Sequence, residues 1–504
     1  MTKQVWRAGL ATLVVALSLG AISAPALAQD LKVGVSGLPP GQGNPYSGIG
    51  TPSSFVWDAI FDPLVRIDAT GRAAPALAES WKNIDPTHWE FALRQGVSFS
   101  NGEPFNADAV VAALSFLIKD GRPTAVGGEL RNLVSAVKKD DKTVVIETSG
   151  PDPVLPNKMA MVSIVAPGAW AKLGPADFAK APVGTGPFVL DKWTPSAAQL
   201  SASKTSWRAP KVATMEVLAL PERAARLQAL LSGQINIGFG FSPDNIGQLK
   251  SGGTQTMVTP APQVMSLAFA NVQHANSPFN DVRVRQAANL AVNRKAIADV
   301  LLAGQGAPAG QAGTPAAFGY DPKIPPYPTD VEKAKKLMVE AGFAKGFSVI
   351  ADVSVGSFPA DSEIYQQAAI DLKAIGITLE LRQVTFPEWL DFYLKGTWPH
   401  ELFGSSWNTA PYMDSIRPYT YTSCMKANPF FCDKEMTPFV NATTAEFNPD
   451  ARADLLRKLH AKTNEVLPAI WLVEQIDLSA VSPSVKGLVF ENRVVHYEGV
   501  TVSK

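Results

Sequence analysis

Short segments of alternating or β-branched character recur along the chain, each followed by a segment with helical periodicity. In residues 88–93 the apolar Trp89, Phe91 and Leu93 alternate with other residues, which is typical of a half-buried strand. Asn106 precedes an apolar face repeated at helical spacing and predicts a helix N-cap. This alternation of strands and helices continues over 504 residues, and a chain of this length is too long to fold around one hydrophobic core. The sequence therefore predicts an α/β protein with mixed sheets in at least two lobes.

Three local features give sharper structural predictions. Thr329 and Glu332 have the spacing of a capping box, which predicts that Thr329 caps a helix over 331–340. The Pro- and Gly-rich stretch 304–328 is long for a connection and is predicted to cross the surface. In Pro-Val-Gly-Thr-Gly-Pro-Phe at 182–188, both glycines are predicted to adopt positive φ in a turn. A phosphate loop is not favoured there, because a proline follows the second glycine and prevents a helix start.

The N-terminus has the three parts of a secretory signal. Lys3 and Arg7 give a basic start, 8–22 is an apolar run, and Ala-Leu-Ala at 26–28 offers the small residues that a signal peptidase reads. This pattern predicts a cleavable signal peptide over 1–28. A membrane anchor is the less favoured alternative, because the run is shorter than the roughly 20 residues that span a bilayer. The mature protein is expected to be exported and soluble.

Charge and cysteine content restrict the possible partners. The 45 basic residues balance the 45 acidic ones, so no nucleic-acid partner is expected. The two cysteines, Cys424 and Cys432, are predicted to form a structural disulfide in an oxidising compartment. A zinc site is the alternative, but His400 and His460 lack ligand spacing, and no metal is expected.

Motifs of catalysis are missing from the sequence. It contains no G-x-x-x-x-G-K-[ST] phosphate loop, no G-x-S-x-G elbow and no H-E-x-x-H pair, and no G-x-G-x-x-G follows a strand. The five histidines are scattered singly. The sequence therefore predicts a protein that is not an enzyme and that carries no cofactor.

Several longer stretches carry a family resemblance. They lie at 77–81, 89–99, 101–110, 182–188, 226–238, 279–286 with 293–297, 330–347 and 372–381. In the same order, they resemble the signature segments of bacterial extracellular solute-binding protein family 5, the peptide/nickel/opine-type substrate-binding proteins of ABC importers. The resemblance extends from about residue 31 to about residue 490.

The resemblance implies a periplasmic binding protein-like fold of type II, cluster C, with two α/β lobes joined by two crossing strands and an extra small subdomain. Lobe I would comprise 29–262 plus 483–504, and lobe II would comprise 263–482. The small subdomain would occupy 75–180 within lobe I.

The resemblance also implies a function. Such a protein captures a peptide-like or other small organic solute between its lobes and delivers it to the transmembrane subunits of an ABC permease with their ATPases. The protein would be a monomer in the periplasm of a Gram-negative bacterium. The alternatives are a secreted hydrolase on a similar scaffold and a solute-sensing or chaperone-like binding protein.

Candidate ligand contacts follow from the same resemblance. Trp407 matches a family tryptophan before the segment that lines the cleft, where it would stack on a ligand or pack in the core. The other candidates on this basis are Asn408, Tyr412, Tyr46, Ser357 and Phe358. Trp389 and Trp398 are further stacking candidates, and plain core packing is the alternative for the aromatic ones.

The ligand class is narrowed by two replacements. Peptide-binding members carry an Asp for the ligand's amino group where this chain has Ala410, and Asp414 lies too far along to replace it. Dipeptide-binding members carry an Arg for the ligand's carboxylate where this chain has Val355. A dipeptide is therefore disfavoured, whereas a longer peptide, an opine or an oligosaccharide stays open, and chelated nickel is less favoured.

Overall fold

The computed structural model describes residues 1–2, 30–119, 124–422 and 424–503. The predicted signal peptide over 1–28 lies outside the described residues except for its first two. Among the helices described, none combines the length and the apolar character that crossing a bilayer demands.

The strands, numbered along the chain, are β1 (Leu31–Val35), β2 (Val65–Ile67), β3 (Ala73–Pro75), β4 (Ala78–Asp85), β5 (His88–Leu93), β6 (Leu133–Asp140), β7 (Thr143–Thr148), β8 (Phe188–Trp193), β9 (Ala197–Ala202), β10 (Thr214–Ala219), β11 (Ile237–Phe239), β12 (Gln255–Phe269), β13 (Ala307–Pro308), β14 (Phe347–Val353), β15 (Ile377–Gln383), β16 (Leu402–Asn408), β17 (Ala469–Val481), β18 (Val485–Lys486), β19 (Val489–Glu491), β20 (Val494–His496) and β21 (Thr501–Val502).

The α-helices are α1 (Ser54–Ile60), α2 (Ala107–Ile118), α3 (Ala125–Glu129), α4 (Leu155–Lys158), α5 (Pro167–Phe178), α6 (Arg223–Leu231), α7 (Ile246–Ser251), α8 (Val282–Ala291), α9 (Arg294–Ala296), α10 (Val331–Glu340), α11 (Asp361–Lys373), α12 (Phe386–Lys395), α13 (Ile416–Thr422), α14 (Thr437–Ala445) and α15 (Pro449–Val466). A π-helical turn (Ile297–Leu301) continues α9, and 3₁₀ turns lie at Met159–Met161, Pro243–Asn245, Pro278–Asn280 and Tyr497–Gly499.

One mixed sheet runs through the described part of the chain. Its order is β15-β14-β16-β12-β17-β11-β1-β10-β9-β8, with β13 beside β17. The pairs β14–β15 and β1–β10 are parallel, whereas β12 is antiparallel to both β16 and β17. The predicted α/β class with mixed sheets is confirmed.

Two long antiparallel strands, β12 and β17, cross the middle of this sheet. Their register shifts between Pro260 and Val264, where prolines 260 and 262 interrupt the ladder because they have no N–H to donate. The sequence suggested only the second half of β12, from Val264, since the prolines separate its two halves.

Two buried clusters define the lobes. The first lobe is built from the elements before β12 together with β18–β21, and its core includes Leu31, Phe91 and Tyr497. The second lobe is built from α8–α15 and β13–β16, and its core includes Phe269 and Trp471. The exact domain boundaries stay a prediction.

A second sheet in the first lobe, ordered β4-β5-β7-β6, is antiparallel throughout. Helix α2 packs on it, and Asn106 caps this helix by accepting hydrogen bonds from the main-chain N–H groups of Asp108 and Ala109, as predicted. This sheet lies within the range 75–180 that was predicted as a small subdomain.

One local prediction is wrong, and another holds for only part of its stretch. The helix α10 is capped by Asp330, whose side chain accepts from Lys333 N, while Thr329 donates to Val292 O. The stretch 304–328 does not simply cross the surface, because residues 309–314 are buried. Its buried main chain is satisfied by neighbours, since Ala309 N donates to Leu472 O at 3.2 Å.

The glycines of the 182–188 turn are needed for a different reason from the one predicted. Neither Gly184 nor Gly186 is in the positive-φ region. A Cβ on Gly184 would instead lie 2.0 Å from Ile60 O. Thr185 between them donates to Asp62 Oδ2 at 2.8 Å, so the turn is a close-packed junction of the first lobe.

Candidate functional site: the cleft between the lobes

A cleft of about 800 Å³ separates the two lobes. It opens where strands of both lobes end, which is where ligands bind in open α/β sheets. The first lobe contributes Ser36, Thr51, Pro52, Phe55, Arg223, Arg226, Phe239, Gly240, Phe241, Phe490 and Arg493; the crossing strands contribute Gln263, Ile476, Asp477 and Leu478. The second lobe contributes Ser354, Gly356–Pro359, Phe386, Trp389, Leu390, Tyr393, Ser406, Asn408, Arg417 and Pro418.

Two of the predicted ligand contacts, Trp407 and Asn408, are neighbours on strand β16 and face opposite sides of the sheet. Side chains alternate along a strand, so Ser406 and Asn408 line the cleft while Trp407 between them points the other way. Trp407 is 1% exposed and packs edge-on against Trp471, with ring centroids 4.9 Å apart. Trp407 therefore packs in the core, which was the alternative to a ligand contact, and it does not line the cleft.

The two predicted tyrosines are also core residues. Tyr46 is fully buried against Phe116 and Trp170, and its hydroxyl donates to Ser163 O at 2.9 Å. Tyr412 is buried beside the lobe junction, outside the set of residues that line the cleft. Both rings therefore contribute to the packing of the lobes, where their burial removes apolar surface from water.

The predicted Ser357 and Phe358 do line the cleft, on the loop after β14. Asp361 fixes this loop, because its carboxylate accepts from the main-chain N–H groups of Gly356, Ser357, Phe358 and Ser362 at 2.9–3.0 Å. The loop therefore presents a preformed surface to the cleft. No local pattern in the sequence predicted that Asp361 organises this loop.

Ala410 and Val355, the two residues that disfavour a dipeptide ligand, carry no charge. Val355 is half-buried against the second core, while its neighbours Ser354 and Gly356 line the cleft. Asp414 is buried and receives two hydrogen bonds from Arg452 at 2.6 and 2.9 Å. Its carboxylate is thus engaged within the second lobe, and Ala410 is not compensated by it.

An ion pair lies on the floor of the cleft. Arg493, in the left-handed region at φ 63° in the tight β19–β20 turn, donates to both carboxylate oxygens of Asp477 at 2.7 and 2.9 Å. It also donates to Gln263 Oε1 at 3.2 Å. These contacts tie the C-terminal hairpin to both crossing strands and neutralise the charge of Arg493.

A second arginine connects the lobes. Arg417 of α13 donates from Nη1 to Asn408 O at 2.9 Å and from Nη2 to Glu129 Oε1 at 2.6 Å. Glu129 ends α3 in the first lobe, 288 residues away in sequence. This separation explains why sequence reasoning missed the pair.

The two arginines of α6 have no carboxylate partner among the described residues. Arg226 is buried and donates to the carbonyls of Leu220, Pro221, Phe239 and Gly240. Burial, and then the neighbouring Arg223, lower the pKa of Arg226, while Glu222 partly offsets this. Arg223 is exposed.

The lining of the cleft is therefore positive. Among the described residues it contains four arginines and one aspartate, and this aspartate is already paired with Arg493. An uncompensated positive wall attracts anions and repels cations. The spacing R-A-A-R at 223–226 puts both guanidinium groups near one end of α6, which was a readable signal in the sequence.

The described part of the chain offers little for catalysis or metal binding at this place. The cleft lining there contains no histidine, cysteine, lysine or glutamate. No group of three or more His, Cys, Asp or Glu side chains in residues 30–119, 124–422 and 424–503 could hold a metal ion. Cys424 and Cys432 are joined in a disulfide.

Two α/β lobes, two crossing strands and a charged, aromatic-lined cleft between them define a solute-binding protein. Residues 72–428 match the model of the bacterial extracellular solute-binding proteins, family 5 (middle). The chain belongs to this family. Members of this family serve as the substrate-binding components of ABC importers, and this chain is such a component.

Similar proteins bear different ligand names. The chain is 29% identical over 388 residues to di/tripeptide-binding protein 2 of Pseudomonas aeruginosa, covering 70% of this chain and 72% of that protein. It is 28% identical over 450 residues to heme-binding protein A of Haemophilus influenzae, covering 82% and 81%. The solved structure of HbpA2 from Haemophilus parasuis matches with a TM-score of 0.83 at 21% identity, covering 94% of this chain and 100% of that one, and shows the shared fold.

Proposed function

We propose that this binding component captures an anionic small organic solute of peptide-like or related chemistry and delivers it to a membrane permease. The observation that carries this proposal is Arg223, an exposed guanidinium that lines the cleft beside the buried Arg226. A carboxylate of the solute placed there would gain charge-assisted hydrogen bonds without displacing a protein partner.

The absence of dipeptide anchors supports a ligand other than a free dipeptide. The positions of Ala410 and Val355 offer no charge to a terminal amine or carboxylate. The named ligands of the relatives fit the same chemistry, since di- and tripeptides and heme all carry carboxylates. A solute bound through its main chain or through a carboxylate at Arg223 satisfies both observations.

The finer aspects of the role belong to the same proposal. The protein would be exported by the signal over 1–28, act in the periplasm as a monomer, and bind without catalysing a reaction. Among the described residues that line the cleft, the single carboxylate is Asp477, and it is paired with Arg493. A hydrolase needs a base within reach of a nucleophile, so this arrangement supports binding rather than hydrolysis.

The proposal is tested by thermal shift and calorimetry with glutathione, haemin, the tetrapeptide Ser-Thr-Ser-Ala and the dipeptide Met-Leu. At least one of the compounds with two carboxylates, glutathione or haemin, is expected to bind more tightly than Met-Leu. Arg223→Gln is expected to weaken that binding by about tenfold or more, the equivalent of one charge-assisted contact.

Arg131→Gln is the matched control, because Arg131 is also an exposed arginine of the first lobe but does not line the cleft. Preference for Met-Leu, or equal effects of the two substitutions, would contradict the proposal. Mass spectrometry of the secreted protein's N-terminus tests the export signal, since cleavage after residue 28 is expected.

A further inference from the structure

Helix α12 exposes an apolar face to the cleft. Its sequence FPEWLDFYLK is rich in aromatic residues, yet none of its residues is fully buried. Phe386, 56% exposed, and Leu390 lie on the cleft wall together with Trp389 and Tyr393. Large apolar side chains exposed side by side in a concave site mark a surface that a ligand covers.

The rings on this face share one orientation. Phe386 and Trp389 have their centroids 6.0 Å apart and their planes 10° from parallel, and Trp389 and Tyr393 are 5.0 Å apart at the same angle. Spacings of three and four residues put the three rings on one helix face. We call Phe386, Trp389 and Tyr393 the aromatic ladder.

The ladder is held in place from behind. Trp389 Nε1 donates to Gly404 O at 2.7 Å, and its ring meets the buried Trp398 edge-on at 5.8 Å. Trp398 in turn stacks on Phe403 at 3.7 Å. A fixed orientation before binding lowers the entropic cost of binding a flat group.

The opposite lobe also has aromatic residues at the cleft. Phe55 stacks on Phe239 at 4.3 Å, and Phe239 meets Phe490 at 4.9 Å. All three are among the residues that line the cleft from the first lobe, as Arg223 is, and each ring is mostly buried, at 2–5% exposure. The wall on α12 therefore offers parallel, partly exposed rings, and the first lobe offers mostly buried rings and, in Arg223, a guanidinium with no carboxylate partner among the described residues.

We infer that the solute carries a planar aromatic or conjugated group that extends the stack at Phe386, with a carboxylate that reaches Arg223. The inference rests on the proposed function and names the class of its solute. Offset parallel stacking favours flat groups over aliphatic ones of the same size. The positive charge on the facing lobe favours a flat group that is attached to an acid.

The test compares N-acetyl-Trp-Glu with N-acetyl-Leu-Glu, which have the same charge and differ in the flat ring, and adds haemin as a flat dicarboxylate. Calorimetry on the full mature protein is expected to show binding of N-acetyl-Trp-Glu at least fivefold tighter than that of N-acetyl-Leu-Glu. Phe386→Ala is expected to remove most of this difference and to weaken haemin binding by a similar factor.

Leu394→Ala is the control, because Leu394 is a 62% exposed residue of the same helix that does not line the cleft. Circular dichroism checks that both variants fold. Trp389→Phe keeps an aromatic ring and is expected to retain part of the preference for N-acetyl-Trp-Glu over N-acetyl-Leu-Glu. Equal affinity for the two peptides, or equal effects of Phe386→Ala and Leu394→Ala, overturns the inference. If the two peptides bind equally and their binding is weakened by Arg223→Gln, the proposed function stands without this inference. If none of the probes binds, the result counts against the proposed function and against this inference.

Discussion

Arg417 and Glu129 form an ion pair between the lobes, with Nη2 of the arginine 2.6 Å from Oε1 of the glutamate. Both side chains are mostly buried, at 17% and 11% exposure. Arg417 lines the cleft, whereas Glu129 does not. The pair therefore links the position of the lobes to a residue that a bound solute can contact.

Substitution of Glu129→Gln tests this link. Removing the charge is expected to weaken the contact that holds the two lobes together and to lower the affinity for the tighter-binding of glutathione and haemin by about tenfold, since a charge-assisted hydrogen bond contributes roughly 1.5–3 kcal/mol. Calorimetry measures the affinity, and small-angle scattering is expected to show a more open ligand-free protein. The control is Asp177→Asn, which breaks an exposed ion pair with Lys180 in the same lobe. It should change neither the affinity nor the scattering profile.

Gly184→Val is expected to destabilise the protein without affecting solute contacts. Its Cβ would meet Ile60 O at 2.0 Å, and main chain cannot move aside as a flexible side chain can. The expected loss in the free energy of unfolding is more than about 2 kcal/mol by chemical denaturation. The control is Gly150→Val, where a Cβ meets nothing within 4 Å; equal stability of the two variants would contradict the close-packing explanation.

The Asp414–Arg452 pair predicts a structural rather than a ligand-binding phenotype. Asp414→Asn leaves Arg452 buried without its carboxylate and is expected to cost about 3–5 kcal/mol in the free energy of unfolding. Asp450→Asn, at a 97% exposed side chain, should cost less than about 1 kcal/mol. A change in solute preference at unchanged stability would show that Asp414 contacts the ligand after all.

Glu474 on β17 gives a pH prediction. Burial raises its pKa from 4.5 to about 7, although a hydrogen bond from Tyr320 counteracts part of this shift. The folded protein therefore binds more protons than the unfolded chain between these values, so this group makes stability fall as pH rises from about 4.5 to about 7 and has no further effect above.

Glu474→Gln removes that slope. The difference in the free energy of unfolding between pH 5 and pH 8 is expected to shrink by about 2 kcal/mol in the variant, measured by denaturant titration at each pH. Glu465→Gln, at an exposed carboxylate, should keep the slope of the unaltered protein. An unchanged slope in Glu474→Gln would place the titrating group elsewhere.

The local part of the fold could be predicted because it depends on neighbours in sequence. Alternation in 88–93 identified β5, and Asn106 identified the start of α2. The same reasoning failed at Thr329, where the adjacent Asp330 competes for the same N–H groups and a distant carbonyl, Val292 O, takes the threonine hydroxyl.

The candidate site was predicted only in part. Asn408, Ser357 and Phe358 line the cleft, but Trp407, Tyr412 and Tyr46 are in the cores. An aromatic residue is equally suited to either place by composition, and a one-residue step along β16 moves a side chain from one face to the other. Trp389 was a stacking candidate and lines the cleft, whereas the other stacking candidate, Trp398, is buried. Phe386 and Tyr393 went unnoticed because an apolar helical face normally indicates a core, and the arginines of α6 because charged residues on a helix normally face solvent.

The sequence by itself determined the α/β class, the helix and strand signals, and the family, since these are recorded in local periodicity and in ordered motifs. Only the tertiary structure decided which rings face the cleft, that Asp414 is held by Arg452, and that Arg417 reaches Glu129 across 288 positions. These outcomes depend on which faces the crossing strands β12 and β17 bring together, and the free energy of that assembly comes from burial and charge pairing between segments far apart in the chain.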